Sequence, residues 1–177
     1  RSKTSLLSAE IKLPRLISDG AVLQRNIELN LWGWASPNEK VELNFNGKKY
    51  AVEASAQGEW LLKLPPQQAG GPHKLVFSGT NQVTVNNVLF GDVWICSGQS
   101  NMELPMERVK EKYHSEIINA SYDQIRHFLV ADKFDFKKEH TDLDAGSWVA
   151  ATPVTVLDFS AVAYFFEVDL HKKYKVP

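Results

Sequence analysis

The chain has 177 residues, 44% of them hydrophobic, enough for one medium domain or two small ones and too apolar for wholesale disorder. With 20 basic against 21 acidic residues the net charge is −1, so the sequence lacks the basic excess that nucleic-acid and anionic-membrane partners select. The single cysteine, Cys96, excludes an internal disulfide, and no apolar run approaches the ~20 residues of a membrane span.

Arg1 to Ser8 does not have the make-up of a signal peptide; it is either a mature terminus left by cleavage or a cloning boundary. The region that follows, to about residue 86, has the period of a β protein. Ile27, Leu29 and Leu31 alternate with polar residues, as do Val41, Leu43 and Phe45. Asn46-Gly47 then predicts a hairpin turn, after which Tyr50 and Val52 resume the period of two. Trp60 to Leu64 predicts another strand, stopped by Pro65-Pro66, and Gln67 to Pro72 is a Gly- and Pro-containing loop. Leu75, Phe77, Val83 and Val85 complete the pattern. Short strands with frequent turns and no helical period predict a small antiparallel sandwich. Its inward residues are expected to be Ile27, Leu29, Leu31, Val41, Leu43, Phe45, Leu62 and Phe77. Trp32, Trp34 and Trp60 fit a core, or alternatively a platform for stacking on sugars.

The pattern changes at Val88. Val88 to Ser97 is almost continuously apolar, the composition of a central strand buried on both faces, with Cys96 inside it. Met102 to Ala120 is mixed and helical in part, interrupted near Pro105, and Ile125 to Val130 predicts a strand. Lys133 to Ser147 is a charged connection. Asp158 or Ser160 is placed to cap a helix running to about Lys173, with Phe159, Val162, Ala163, Phe166 and Leu170 on one apolar face. Strand, helix, strand, helix is the order of a parallel α/β layer, with Val176-Pro177 opening a further strand. A parallel sheet of two strands is incomplete, so the sequence is expected to be one piece of a larger protein.

The informative block is Gly91 to Glu103, Gly-Asp-Val-Trp-Ile-Cys-Ser-Gly-Gln-Ser-Asn-Met-Glu. An apolar strand runs into Ser-Gly-Gln-Ser-Asn with a helix-forming stretch behind it. That order puts the Ser100 hydroxyl at a strand's carboxyl end beside backbone N–H groups suited to an oxyanion. Position 102 is Met, so the block is not the Gly-x-Ser-x-Gly elbow of α/β-hydrolases. It resembles the first motif of the SGNH hydrolases and, through Gly98 to Met102, the sialate O-acetylesterase family. Leu23-Gln24-Arg25 and Leu31 to Ala35 look like that family's N-terminal β-domain, and Phe159 to Phe166 with Leu170-His171 like the helix after its catalytic block.

The resemblance implies an all-β sandwich over 1–86 followed by the start of an α/β SGNH-like (flavodoxin-like) domain over 87–177, incomplete within this sequence. It implies a serine esterase acting on O-acetylated sugars, of sialate 9-O-acetylesterase type, with Ser100 as nucleophile. The backbone N–H of Ser100 serves the oxyanion hole, Gln99 lines the pocket, and Asn101 steadies the loop. The implied partners are an O-acetylated sialic acid or a related acetylated sugar, and the rest of the hydrolase domain. No cofactor and no metal ligand set are expected, since the histidines are scattered and Cys96 has no companion. A periplasmic or secreted location is expected. The different class of function to weigh against this one is a non-catalytic carbohydrate-binding or interaction module.

A serine needs a base, and the family implies a histidine with an aspartate three residues before it, downstream of the serine. None of the five histidines has that spacing: residues 70, 124, 137 and 168 are Gly, Gln, Lys and Val. His114 follows Glu111 on what reads as a solvated helix face, and His171 sits among lysines at a helix end. The fragment alone is therefore expected to be inactive. Asp92 reads as a hydrogen-bonding residue near the strand start rather than a triad acid, and Cys96 as a small buried residue rather than a thiol nucleophile.

Overall fold

A computed structural model of the chain describes residues 10–177; the expectation for Arg1 to Ser8 lies outside the described residues. The first strands are β1 (Val22–Gln24), β2 (Leu29–Trp34), β3 (Lys40–Phe45) and β4 (Lys48–Glu53). They are followed by β5 (Glu59–Leu64), β6 (Gly70–Ser78) and β7 (Gln82–Gly91). Five of them form one sheet in the order β1-β7-β6-β3-β4, while β2 and β5 pair antiparallel in a second. Every pairing in the larger sheet is antiparallel except β1 with β7, which is parallel. The two sheets share one apolar core, to which β3 gives Val41, Leu43 and Phe45, β5 gives Trp60, Leu62 and Leu64, and β6 gives Leu75 and Phe77. These are the alternate positions of each strand, because successive side chains leave opposite faces of the pleat.

The β3–β4 turn is the Asn46-Gly47 hairpin, with φ of +48° and +74° at its two residues. That pair of left-handed conformations matches the right-handed twist of the flanking strands. No helix occurs between residues 10 and 86. Of the expected inward residues, Leu29 is half-buried, and Ile27 is 48% exposed. The reason is local. Asn26 turns the chain at φ +59° and donates its N–H to Gln67 O at 2.8 Å, so Ile27 lies in a bend before β2 rather than in the strand. Trp60 is in the core and Trp32 packs against it, which leaves no flat aromatic platform made of the three tryptophans.

Beyond β7 the chain makes 3₁₀ turns at Ser100–Met102 and Met106–Val109, a short helix α1 (His114–Ile118), β8 (Tyr122–Phe128) and β9 (Trp148–Ala151). A 3₁₀ turn at Thr155–Asp158 then leads into α2 (Ala161–Tyr174). These elements surround a second apolar cluster that includes Met106, Ile125, Val156, Phe159, Tyr164 and Val168. Arg126 ties the second cluster to the first: Nη1 donates to Gly20 O and Asn87 O, both at 2.7 Å, and Nη2 donates to Asn87 Oδ1 at 3.0 Å.

Three expectations are corrected here. The strand ends at Gly91 instead of running to Ser97, and among the described residues no strand pairs with 92–97, so Ile95 is 93% exposed and Cys96 is exposed too. Strand β8 pairs antiparallel with β9, so the described residues after Gly91 contain no parallel pair. Helix α2 is capped by Ser160 as expected, its Oγ accepting from Ala163 N at 3.4 Å, but the helix is turned the other way about its axis. Ala161, Tyr164 and Val168 are buried while Val162 and Phe166 of the expected face are exposed. Both stripes are apolar, and the second cluster takes only one of them.

Candidate active site

The approach to the serine is gripped from the β1 end. Arg25 N donates to Gly91 O at 2.9 Å, and Val93 N donates to Gln24 Oε1 at 2.8 Å. The Arg25 guanidinium pairs bidentately with Asp92, Nε to Oδ1 at 2.8 Å and Nη2 to Oδ2 at 3.1 Å. The guanidinium hydrogen bond holds the Asp92 carboxyl below its ordinary range. Asp92 is thus committed to Arg25 as a structural partner. Its own N–H donates to Pro177 O at 2.9 Å, and Trp94 meets Phe166 of α2 edge to face with ring centroids 5.1 Å apart.

Past this grip the backbone makes a hinge. Gly98 has φ +156°, Gln99 is extended at φ −144° and ψ 177°, and Ser100 is left-handed at φ +56°. Glycine adopts such angles freely, whereas at Ser100 the left-handed conformation costs roughly 1–2 kcal/mol. A single 3₁₀ turn follows, closed by Met102 N to Gln99 O at 3.2 Å and Glu103 N to Ser100 O at 3.1 Å. The turn is docked on the start of α2. Ala161 N donates to Leu104 O at 2.8 Å, Met106 N to Phe159 O at 2.9 Å, and Ser160 Oγ lies 3.8 Å from Met102 Sδ.

Gln99, Ser100 and Asn101 are all exposed. Among the described residues nothing hydrogen-bonds the Ser100 hydroxyl, and the N–H groups of Ser100 and Asn101 have no backbone acceptor. Asn101 therefore steadies the loop through its backbone carbonyl, which accepts from Leu104 N at 3.3 Å, and not through an Asx turn. The element behind Ser100 is one 3₁₀ turn rather than an α-helix, so any oxyanion donor here is an individual N–H rather than a helix dipole. Cys96 is a poor nucleophile despite its exposure, since desolvation and then the nearby Glu167 carboxylate push its thiol pKa up.

Beside the hinge lies a cleft of about 560 Å³ whose lining includes Met102, Glu103, His127, Ser147, Asp158 and Ser160. His127 stacks on Phe159 at 3.6 Å between ring centroids and 14° between planes. Burial pushes its pKa down to about 4, against a smaller upward pull from Asp158. His127 is the histidine that shares a cleft with the serine's turn, and with Gln at residue 124 it lacks an aspartate three positions earlier. Its contact with Phe159, 32 positions later, leaves no spacing signal.

The other histidines are engaged elsewhere or solvated. His73 packs edge-on against Phe45 and Phe90, His140 Nε2 pairs with Asp135 at 2.8 Å, and His171 Nδ1 meets Val176 O at 2.8 Å. His114 opens α1, exposed. Among the described residues no group of three or more His, Cys, Asp and Glu side chains is placed to hold a metal ion.

With this geometry in view, the comparisons with known proteins point one way. No protein-family model matches the chain. A carbohydrate acetylesterase from Xanthomonas citri superposes with a TM-score of 0.90 at 39% identity, over 94% of this chain and 38% of that one. The sialate O-acetylesterase of Mus musculus is 32% identical over 112 residues, 57% of this chain and 21% of the relative. The human sialate O-acetylesterase is 29% identical over 126 residues, 65% of this chain and 24% of the relative. The chain thus resembles the sialate O-acetylesterase family, and it spans between a fifth and a quarter of the length of these two curated relatives.

Proposed function

We propose that this chain is the N-terminal part of a carbohydrate O-acetylesterase of SGNH type, with Ser100 as nucleophile. In this reading residues 1–86 are a β-sandwich domain, and 87–177 begin a flavodoxin-like α/β domain whose remainder supplies the base. The observation that carries the reading is the conformation of Ser100: solvent-facing, left-handed at φ +56°, and set between Gly98 and a pinned 3₁₀ turn. Left-handed strain at a non-glycine residue persists only where the surroundings over-determine it, and such residues cluster at functional sites. The similarity to acetylesterases supports the same reading.

The chemistry runs in two steps. Ser100 Oγ attacks the acetyl carbonyl as a histidine from the rest of the domain takes its proton, and the N–H of Ser100 receives the developing oxyanion. The sugar leaves as an alcohol, and water activated by the same histidine then hydrolyses the acetyl-enzyme. Gln99 and Asn101 flank the reacting group. The substrate is an acetylated sugar, O-acetylated sialic acid or a relative of it, and the protein works in the periplasm or outside the cell.

The unpaired apolar run 92–97 supports the rest of this reading, because such a backbone is the natural edge for further strands. The test is to express the complete gene, treat the product with a fluorophosphonate, and map the adduct. Labelling at Ser100, lost together with deacetylation in a folded Ser100→Ala variant, is expected. A labelled serine elsewhere, or full activity in Ser100→Ala, overturns the assignment.

A further inference from the structure

From the grip on Gly91–Val93 we infer that Arg25, through Asp92, is a positioning residue for Ser100. The inference rests on the esterase reading of that serine.

The argument starts from what holds the segment between Gly91 and the hinge. Strand β7 stops at Gly91, and residues 92–97 have no strand partner among the described residues. Where the chain leaves the sheet, two consecutive residues at the end of β1, Gln24 and Arg25, hold it. Gln24 receives the Val93 N–H, Arg25 donates its N–H to Gly91 O, and the Arg25 side chain takes both oxygens of Asp92. Three successive residues are thus held by two, at four contacts from 2.8 to 3.1 Å. A planar guanidinium on a carboxylate fixes orientation as well as distance, which a lysine ammonium does not.

The far end of the segment is held independently, by the contacts of Met102, Leu104 and Met106 with Ser160, Ala161 and Phe159 at the start of α2. Between two fixed ends the chain must accommodate Gly98 at φ +156° and Ser100 at φ +56°. Releasing one end allows the hinge to relax toward ordinary angles and carries the Ser100 hydroxyl away from its place. The clamp acts on the position of the nucleophile and touches no substrate, so it bears on kcat rather than on binding. A misplacement of about 1 Å by a change remote from the chemistry lowers turnover by about a hundredfold. The same geometry gives a role to the polar side chains of Gln24 and Arg25, while Leu23 packs against the core.

The experiment uses the protein expressed from the complete gene, with Arg25→Ala, Asp92→Asn, the double variant and Arg25→Lys. Thermal unfolding confirms the fold of each. Fluorophosphonate labelling of Ser100 and turnover of 4-nitrophenyl acetate are expected to fall about ten- to a hundredfold in Arg25→Ala and Asp92→Asn, with KM within about threefold of wild type. The double variant should be no slower than the slower single one, because both changes break one contact, and Arg25→Lys should recover part of the rate. Amide exchange at 93–97 should quicken in Arg25→Ala, a readout independent of catalysis. If Arg25→Ala does not fold, Asp92→Asn carries the test. A folded variant labelled at the wild-type rate, a raised KM at unchanged kcat, or multiplying losses in the double variant overturns the inference. An unlabelled Ser100 in the wild type overturns the esterase reading, while unchanged exchange at 93–97 overturns the clamp alone.

Discussion

His127 is a stability switch that one substitution can isolate. Its imidazole stacks on Phe159, and burial lowers its pKa from 6.5 to about 4, so folding excludes a proton that the unfolded chain accepts. The sign follows from linkage. Stability is complete above about pH 6.5, declines as the pH falls, and stops declining below about pH 4. A drop of roughly 2.5 in pKa sets a ceiling of ~3.4 kcal/mol. About 2 kcal/mol of that would be lost by pH 5, and screening of this half-buried ring by solvent reduces the figure to about 1 kcal/mol. His127→Phe keeps an aromatic face on Phe159 and removes the titration. In urea titrations of the 177-residue polypeptide followed by circular dichroism, wild type should lose about 0.5 M in midpoint between pH 7 and pH 5 relative to the variant, for a slope of about 2 kcal/mol/M. Other titrating groups are common to both proteins and cancel. Equal pH dependence in the two, or an NMR titration placing His127 near 6.5, refutes the reasoning.

Glu167 works in the opposite sense. Burial pushes its pKa from 4.5 up to about 7, and its Oε2 is buried with no hydrogen-bond partner. The stability it permits is present below about pH 4.5 and lost as pH rises through 7, so Glu167→Gln should raise the unfolding free energy from urea titration at pH 8 by about 1 kcal/mol after allowance for partial exposure, and leave that at pH 4 unchanged. The 177-residue polypeptide should hydrolyse 4-nitrophenyl acetate no faster than its own Ser100→Ala variant, because a base with a pKa near 4 is badly matched to neutral pH; turnover lost in both Ser100→Ala and His127→Gln would contradict this. At Gly47, φ is +74° and an added Cβ meets nothing within 4 Å. Gly47→Ala should therefore cost only the conformational term, about 1 kcal/mol, read as a Tm drop of about 2–4 °C.

The β region was legible because its signals are local. Alternation in β3 and β5 names the buried residues directly, and the Asn46-Gly47 pair names its own backbone angles. The Ser160 cap is local too, since the hydroxyl reaches an N–H three residues on. Pairing is different. A continuous apolar run such as 88–97 records that a segment suits burial without recording what covers it, and here only the part up to Gly91 has strand partners among the described residues. Helix α2 repeats the lesson, because Val162 and Phe166 make as good a stripe as Ala161, Tyr164 and Val168. Contacts across long separations, Arg25 with Asp92 or His127 with Phe159, carry no periodic signal at all.

The segment between Gly91 and Ser100 also departs from the local rules. Val93, Trp94 and Ile95 are exposed among the described residues, as a run that further strands of the domain would cover should be. A serine should avoid positive φ, yet Ser100 holds +56°. That serine closes the run that begins at Gly91. Sequences that agree with their fold elsewhere break local rules mainly at functional or strained sites. The left-handed backbone of Ser100 is therefore an argument for this segment as the working part of the chain that stands beside the motif rather than being borrowed from it.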